Sequence, residues 1–186
     1  TGVDMARMKI EVQAARAKEY GLSVRDRLVG YLPRYAPLAS RLPWLFNLRD
    51  RIPGAARLSE MAMGFSARRK LPQWRSDIFR DEDAGPVGGP EVVLFADTFN
   101  RYFERENLDA AVAVLTAAGY RVHAAKAPGH SARPLCCGRT FLSVGAVTQA
   151  QEEMQRTLDA LSPYIARGVP VVGLEPSCIL GFRDEV

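Results

Sequence analysis

At 186 residues the chain has room for one domain, or for one domain with an appendage. Its 47% hydrophobic content excludes a disordered chain. No apolar run approaches the roughly 18 residues needed to span a bilayer. The net charge of +4 conceals an asymmetry: residues 1–80 carry 16 Lys and Arg against 7 Asp and Glu, and the remainder carries 9 against 14. A basic front and an acidic back suggest two regions with different jobs.

Residues 4–20 read as a helix. Asp4 suits the N-cap, Gly21 suits the position after the last turn, and Met5, Met8, Val12 and Ala15 recur at helical spacing, as in a helix that docks through that face. The opening residues alternate charge and apolar character, with no small-residue cleavage site after an apolar core. The expectation is therefore a chain without a secretory leader, placed in the cytoplasm.

Residues 21–90 hold seven of the 12 prolines, so short helical pieces and extended connections are expected. Tyr31, Leu32, Tyr35, Leu38, Leu42, Trp44, Leu45, Phe46, Leu48 and Ile52 are too many apolar groups for a free linker. Asp81-Glu82-Asp83 and Gly85-Pro86-Val87-Gly88-Gly89-Pro90 carry the composition of a connection. The expected division is a helical, Pro-rich region over 1–86 and a second domain over 87–186.

The pattern then changes period. Glu91–Ala96 reads as a buried strand, 107–118 as a helix ended by Gly119, and 120–125 as a second strand. Thr148-Gln149-Ala150-Gln151 has the spacing of a capping box opening a helix to about Ala166, and 169–174 gives a third strand. Alternating strands and helices predict an α/β fold with a small parallel sheet and flanking helices. Ligands on such sheets bind beyond the carboxyl ends of the strands. Asp97, Cys136, Cys137 and Cys178 all follow strands, so the expectation gathers them at one edge.

The three cysteines are odd in number and two are adjacent, which argues against a disulfide framework. Cys136-Cys137-Gly138 places two soft donors side by side, with a glycine that admits close backbone approach. Soft thiolates suit iron–sulfur clusters or zinc. In Glu175-Pro176-Ser177-Cys178 the proline suits a first helical turn and sets Cys178 near a helix N-terminus. Buried core cysteines are the alternative reading. His123 and His130 read as ordinary histidines; His130, in a Pro-Gly loop, is near enough in sequence for Cys–His chemistry with Cys136 or Cys137. No GxSxG, P-loop or dinucleotide Gly-rich pattern is present.

Leu135-Cys136-Cys137-Gly138 and Gly173-Leu174-Glu175-Pro176-Ser177-Cys178 resemble the two motifs of the cysteine-rich CCG domain. That family includes heterodisulfide-reductase B-type subunits and the iron–sulfur subunits of glycolate, lactate and anaerobic glycerol-3-phosphate dehydrogenases. The whole chain resembles part of bacterial fusions that join an FAD-linked oxidase domain, a ferredoxin-like segment and two CCG repeats. Thr1-Gly2-Val3-Asp4-Met5 is similar to the residues following the last Cys-Pro of the ferredoxin-type motif.

This resemblance implies a Rossmann-like first CCG repeat over 87–186, with Cys136, Cys137 and Cys178 as metal ligands to a 4Fe-4S cluster and FAD bound by the parent outside this segment. It implies an electron-transfer module that relays electrons from a flavin oxidising a 2-hydroxy acid of the D-lactate, glycolate or D-2-hydroxyglutarate type. The implied partners are the FAD-binding and ferredoxin-like domains, a second CCG repeat, and a quinone or electron-carrier acceptor. Two features depart from the family: Ala96-Asp97-Thr98-Phe99-Asn100 lacks the cysteine that often follows the first strand, and the last motif has one cysteine where CxxC is common. Three thiols leave a four-iron cluster short of ligands, so the segment alone is expected to hold metal weakly and to be inactive. Exposed apolar surface over 21–80 is expected to drive self-association as a homodimer. The competing reading is an interaction module that binds nucleic acid or a membrane surface through its basic half.

Overall fold

The computed structural model describes residues 4–126 and 133–184. Within them the chain is α/β, with eleven helices and a three-stranded parallel sheet. The order is α1 (Met5–Tyr20), α2 (Val24–Gly30), α3 (Leu32–Ala39), α4 (Pro43–Phe46), α5 (Leu48–Arg51), α6 (Ala55–Met63), β1 (Glu91–Phe95), α7 (Thr98–Tyr102), α8 (Arg105–Ala117), β2 (Arg121–Ala124), α9 (Arg139–Leu142), α10 (Val147–Ile165), β3 (Val171–Gly173) and α11 (Pro176–Asp184). Two compact units result. One runs to Ser76 and includes Gly138–Ala150; the other comprises Asp77–Cys137 and continues from Gln151. No helix among the described residues is long and apolar enough to cross a membrane.

In the first unit, Asp4 caps α1 by accepting from the Arg7 N–H at 3.0 Å, and Gly21 ends it with φ 74°. The packed face is not the expected one. Ile10, Gln13, Ala14 and Ala17 are half-buried, whereas Met5, Met8 and Val12 are exposed. The reason lies at Gly145, where an added Cβ would stand 2.3 Å from the Gln13 carbonyl oxygen. The glycine lets the helix backbone approach along the 10/13/14/17 row, and the small side chains there keep it close.

The Pro-rich stretch forms short helices, as expected from prolines that start or stop turns. It is tied across long sequence separations. Asn47 donates to the Trp74 carbonyl at 2.8 Å and accepts from the Trp74 N–H at 2.9 Å. Tyr35, Phe46 and Trp74 form a ring cluster with centroids 5.8–6.4 Å apart. Burial pushes the Tyr35 hydroxyl pKa up to about 12. Leu38, Trp44, Ile52, Leu58 and Met61 stay exposed, Met61 at 85%.

The second unit is built on the order β2-β1-β3, all parallel, with Val92 opposite Val122 and Leu94 opposite Val172. β1 is central, and residues of α8 cover one of its faces and residues of α10 and α11 the other, so its sequence is an unbroken apolar run. Val92, Leu94 and Ala96 pack with Phe79, Leu108 and the inward face of α8; Val93 and Phe95 pack with Ala160, Leu161, Ile179 and Phe182 from α10 and α11. Each fully buried Val, Leu or Phe contributes about 1.5–3 kcal/mol. Residues just before β1 join this unit: Ala84 exchanges two backbone bonds with Val122, at 3.0 and 2.8 Å.

α10 begins two residues earlier than the Thr148 capping box predicts. The Ala150 N–H already bonds the Ala146 carbonyl at 3.1 Å, so Thr148 lies inside the first turn.

Candidate functional site

Three loops leave the carboxyl ends of the strands. After β1, Asp97 turns inward and caps α7, accepting from the N–H groups of Phe99 (3.0 Å) and Asn100 (3.1 Å) and from the Asn100 side chain (2.6 Å). It is 1% exposed and its oxygens are committed to that turn. After β2 the chain passes beyond the described residues at 127–132, and His130 lies among them. It returns through Arg133–Cys137. After β3, Glu175 accepts from the Ser177 N–H (3.2 Å) and hydroxyl (2.6 Å), which closes the turn into α11 and places Cys178 in its first turn. The turn also needs Gly173, since a Cβ there would meet the Ile179 side chain at 2.9 Å.

These connections bring Cys137 and Cys178 together, with their sulfurs 3.0 Å apart. Both sulfurs sit in the apolar layer formed by Phe95, Leu135, Ala160 and Leu161. Cys136 is equally buried, at 3%, and belongs to the same loop but not to that apolar layer. None of the three forms a disulfide.

The loop that carries them is held by one face of α10. Glu153 and Thr157 are fully buried. The Arg156 guanidinium donates to Glu153 at 2.8 Å, to the Arg133 carbonyl at 3.2 Å and also to the Pro134 carbonyl. Arg133 pairs with the other Glu153 oxygen at 3.3 Å. The Thr157 hydroxyl donates to the Cys136 carbonyl (2.8 Å) and accepts from the Cys136 N–H (3.3 Å). Next along the chain, Gly138 has φ +80°, and a Cβ there would lie 2.6 Å from the Ala150 carbonyl oxygen. Reading the sequence did not single out Glu153, Arg156 or Thr157. The available signal was their i, i+3, i+4 spacing, which puts all three on one helical face otherwise lined with apolar groups.

His123 lies on β2, away from the cysteine loop in sequence, with a nitrogen 3.0 Å from Glu91 and the other 3.4 Å from Asp83. Asp83 also accepts from the Ala124 N–H at 3.1 Å. Burial pushes the Asp83 carboxyl up, but the Ala124 N–H, His123 and Arg121 together outweigh it and hold the pKa below its ordinary value. An open cleft of about 630 Å³ lies here, lined by Asp83, Lys126, Asp159, Tyr164 and Arg167 and by none of the cysteines.

The donor set can be tested against an iron–sulfur centre. Its chemistry is suitable, because thiolates are the ligands such clusters take. Number and arrangement are not: a four-iron cluster takes four thiolates, and the chain has three cysteines. Among the described residues no group of three or more His, Cys, Asp or Glu side chains is disposed to hold a metal ion. The described residues thus form a buried dithiol beside a third thiol, and they do not form a complete metal site.

No family model matches the chain, and no solved structure matches it. Two curated proteins are similar to it. D-2-hydroxyglutarate dehydrogenase of Escherichia coli (strain K12) is 26% identical over 199 residues, covering 96% of this chain and 19% of that protein. D-2-hydroxyglutarate dehydrogenase of Pantoea ananatis (strain AJ13355) is 24% identical over 202 residues, with the same 96% and 19% coverage. The chain is therefore similar to these dehydrogenases along nearly all of its own length, and it spans less than a fifth of theirs.

Proposed function

We propose that the chain is part of a 2-hydroxy-acid oxidoreductase of the D-2-hydroxyglutarate dehydrogenase type and serves as its electron-transfer segment. In this reading a flavin, FAD, sits elsewhere in the parent and oxidises the hydroxy acid. Residues 1–86 follow a ferredoxin-like motif, and residues 87–186 are a first CCG repeat. Cys136, Cys137 and Cys178 contribute thiolates to an iron–sulfur cluster whose remaining ligands come from outside this segment, from a second repeat. Such a cluster supplies one-electron transfer, and this chain's part is to present the thiols from a fixed loop.

The observation that carries the reading is the convergence of Cys137 and Cys178 to 3.0 Å from motifs 41 residues apart, in a chain similar over 96% of its length to two such dehydrogenases. A buried dithiol beyond the strand ends is where an α/β sheet places its ligands. The exposed Leu38, Trp44, Ile52, Leu58 and Met61 support a segment covered by other parts of a larger protein.

The test is anaerobic purification of the full-length protein, with iron counted per chain, the thiolate-to-iron absorption recorded, and oxidation of D-2-hydroxyglutarate, D-lactate and glycolate followed with an artificial acceptor. Iron should be present, and Cys137→Ser should lower both iron and absorption. The 186-residue chain alone should bind iron weakly and oxidise none of the three acids. A full-length protein without iron, or one whose iron and absorption are unchanged by Cys137→Ser, overturns the reading.

A further inference from the structure

We infer that Glu153, Arg156 and Thr157 are positioning residues for the cysteine loop, holding Cys137 within reach of Cys178. Loop residues 133–137 have no strand or helix of their own to fix them. A segment without a ladder keeps its place only if its backbone groups are bonded elsewhere. Here three of the four carbonyls from Arg133 to Cys136, those of Arg133, Pro134 and Cys136, are claimed by two side chains one residue apart on α10.

Thr157 is the more specific of the two. A single hydroxyl bonds both the N–H and the C=O of Cys136, which ties down the two peptide units that flank its Cα. The orientation of Cys136 determines where the next side chain, Cys137, is aimed. Glu153 holds the Arg156 fork in register by accepting from it at 2.8 Å, and it is itself enclosed, at 0% exposure. A buried carboxylate is costly to keep unless its charge is paired and its lone pairs are used. Arg133 and Arg156 meet that need while tying the loop to the helix.

The purpose assigned to this clamp, presentation of thiols to a metal, rests on the function proposed above; the clamp's effect on the dithiol can be measured without metal. In a Cys136→Ser background only Cys137 and Cys178 remain, and diamide oxidises them to a disulfide. Two S–H bonds break, one S–S bond forms, and the diazene takes both electrons and both protons to become a hydrazine. Disulfide formation is followed by mass spectrometry, and iodoacetamide alkylation of each thiol is measured in parallel.

Thr157→Val, which keeps the shape and removes the hydroxyl, should slow disulfide formation about tenfold, since a displacement on the order of 1 Å is enough to lose most of a proximity advantage. Alkylation should be unchanged or faster. Thr157→Ser should restore the parental rate, and Glu153→Gln should slow the disulfide less than Thr157→Val. A purely structural role would open the core and speed oxidation and alkylation together. That pattern, or an unchanged disulfide rate in Thr157→Val, overturns the inference. A full-length protein without iron whose dithiol still depends on Thr157 leaves the clamp standing and removes the metal reading. Normal iron content with no Thr157 dependence does the reverse.

Discussion

Glu153→Gln tests the energetics of the loop anchor directly. The carboxylate is fully buried, and its two oxygens meet Arg156 at 2.8 Å and Arg133 at 3.3 Å. Removing one partner of a buried pair typically costs about 3–5 kcal/mol, because the surviving charge stays desolvated. Here the cost is moderated. The Arg133 side chain retains 32% exposure, and Arg156 keeps its bonds to the Arg133 and Pro134 carbonyls. The glutamine amide also keeps one acceptor. The expected loss is therefore about 2–3 kcal/mol, a large fraction of the roughly 5–15 kcal/mol by which a domain is stable.

Urea unfolding followed by far-UV circular dichroism measures this loss, with an unchanged m-value as evidence that compactness is retained. Tryptophan fluorescence provides an internal reference, because Trp44 and Trp74 both belong to the unit that runs to Ser76 and includes Gly138–Ala150, whereas Glu153 belongs to the other. Glu153→Leu should cost at least as much as Glu153→Gln, since it also removes the acceptor from both guanidinium groups. A loss below about 0.5 kcal/mol for Glu153→Gln would show that the triad is a solvated surface pair in effect, and the anchoring argument would fail.

Two further outcomes follow from local geometry. Gly138→Ala should destabilise the Cys-Cys-Gly turn by at least about 1 kcal/mol, because φ is +80° and the new Cβ would stand 2.6 Å from the backbone oxygen of Ala150, which cannot rotate away; urea midpoints equal to the parent's would refute it. Asp83 has a folded-state pKa below its unfolded value, so its stabilising contribution is present above about pH 4 and is lost as pH falls through the lower folded pKa. The gap in urea midpoint between the parent and Asp83→Asn should accordingly be open at pH 6 and close towards pH 3, and a gap independent of pH would count against the assignment.

The sequence alone determined what depends on local chemistry. Asp4 and Gly21 bracket α1 because a capping carboxylate and a residue free to take positive φ are needed at its two ends. Glu91–Phe95 was legible as a strand because a central parallel strand is apolar on both faces, and the strand–helix alternation predicted the parallel sheet observed. The positions of Cys137 and Cys178 beyond strand ends were legible for the same reason. Other features depended on partners distant in the chain. Which face of α1 packs was decided by the Gly145 turn, not by the apolar stripe of Met5, Met8 and Val12. The strand order β2-β1-β3 and the inclusion of Gly138–Ala150 in the helical unit reflect contacts between residues far apart in sequence. The sharpest case is Glu153, Arg156 and Thr157, which the sequence presents as ordinary polar residues of a helix. Only folding brings the Arg133–Cys136 backbone onto them, and with it a bonded environment for groups that would otherwise be buried at a cost.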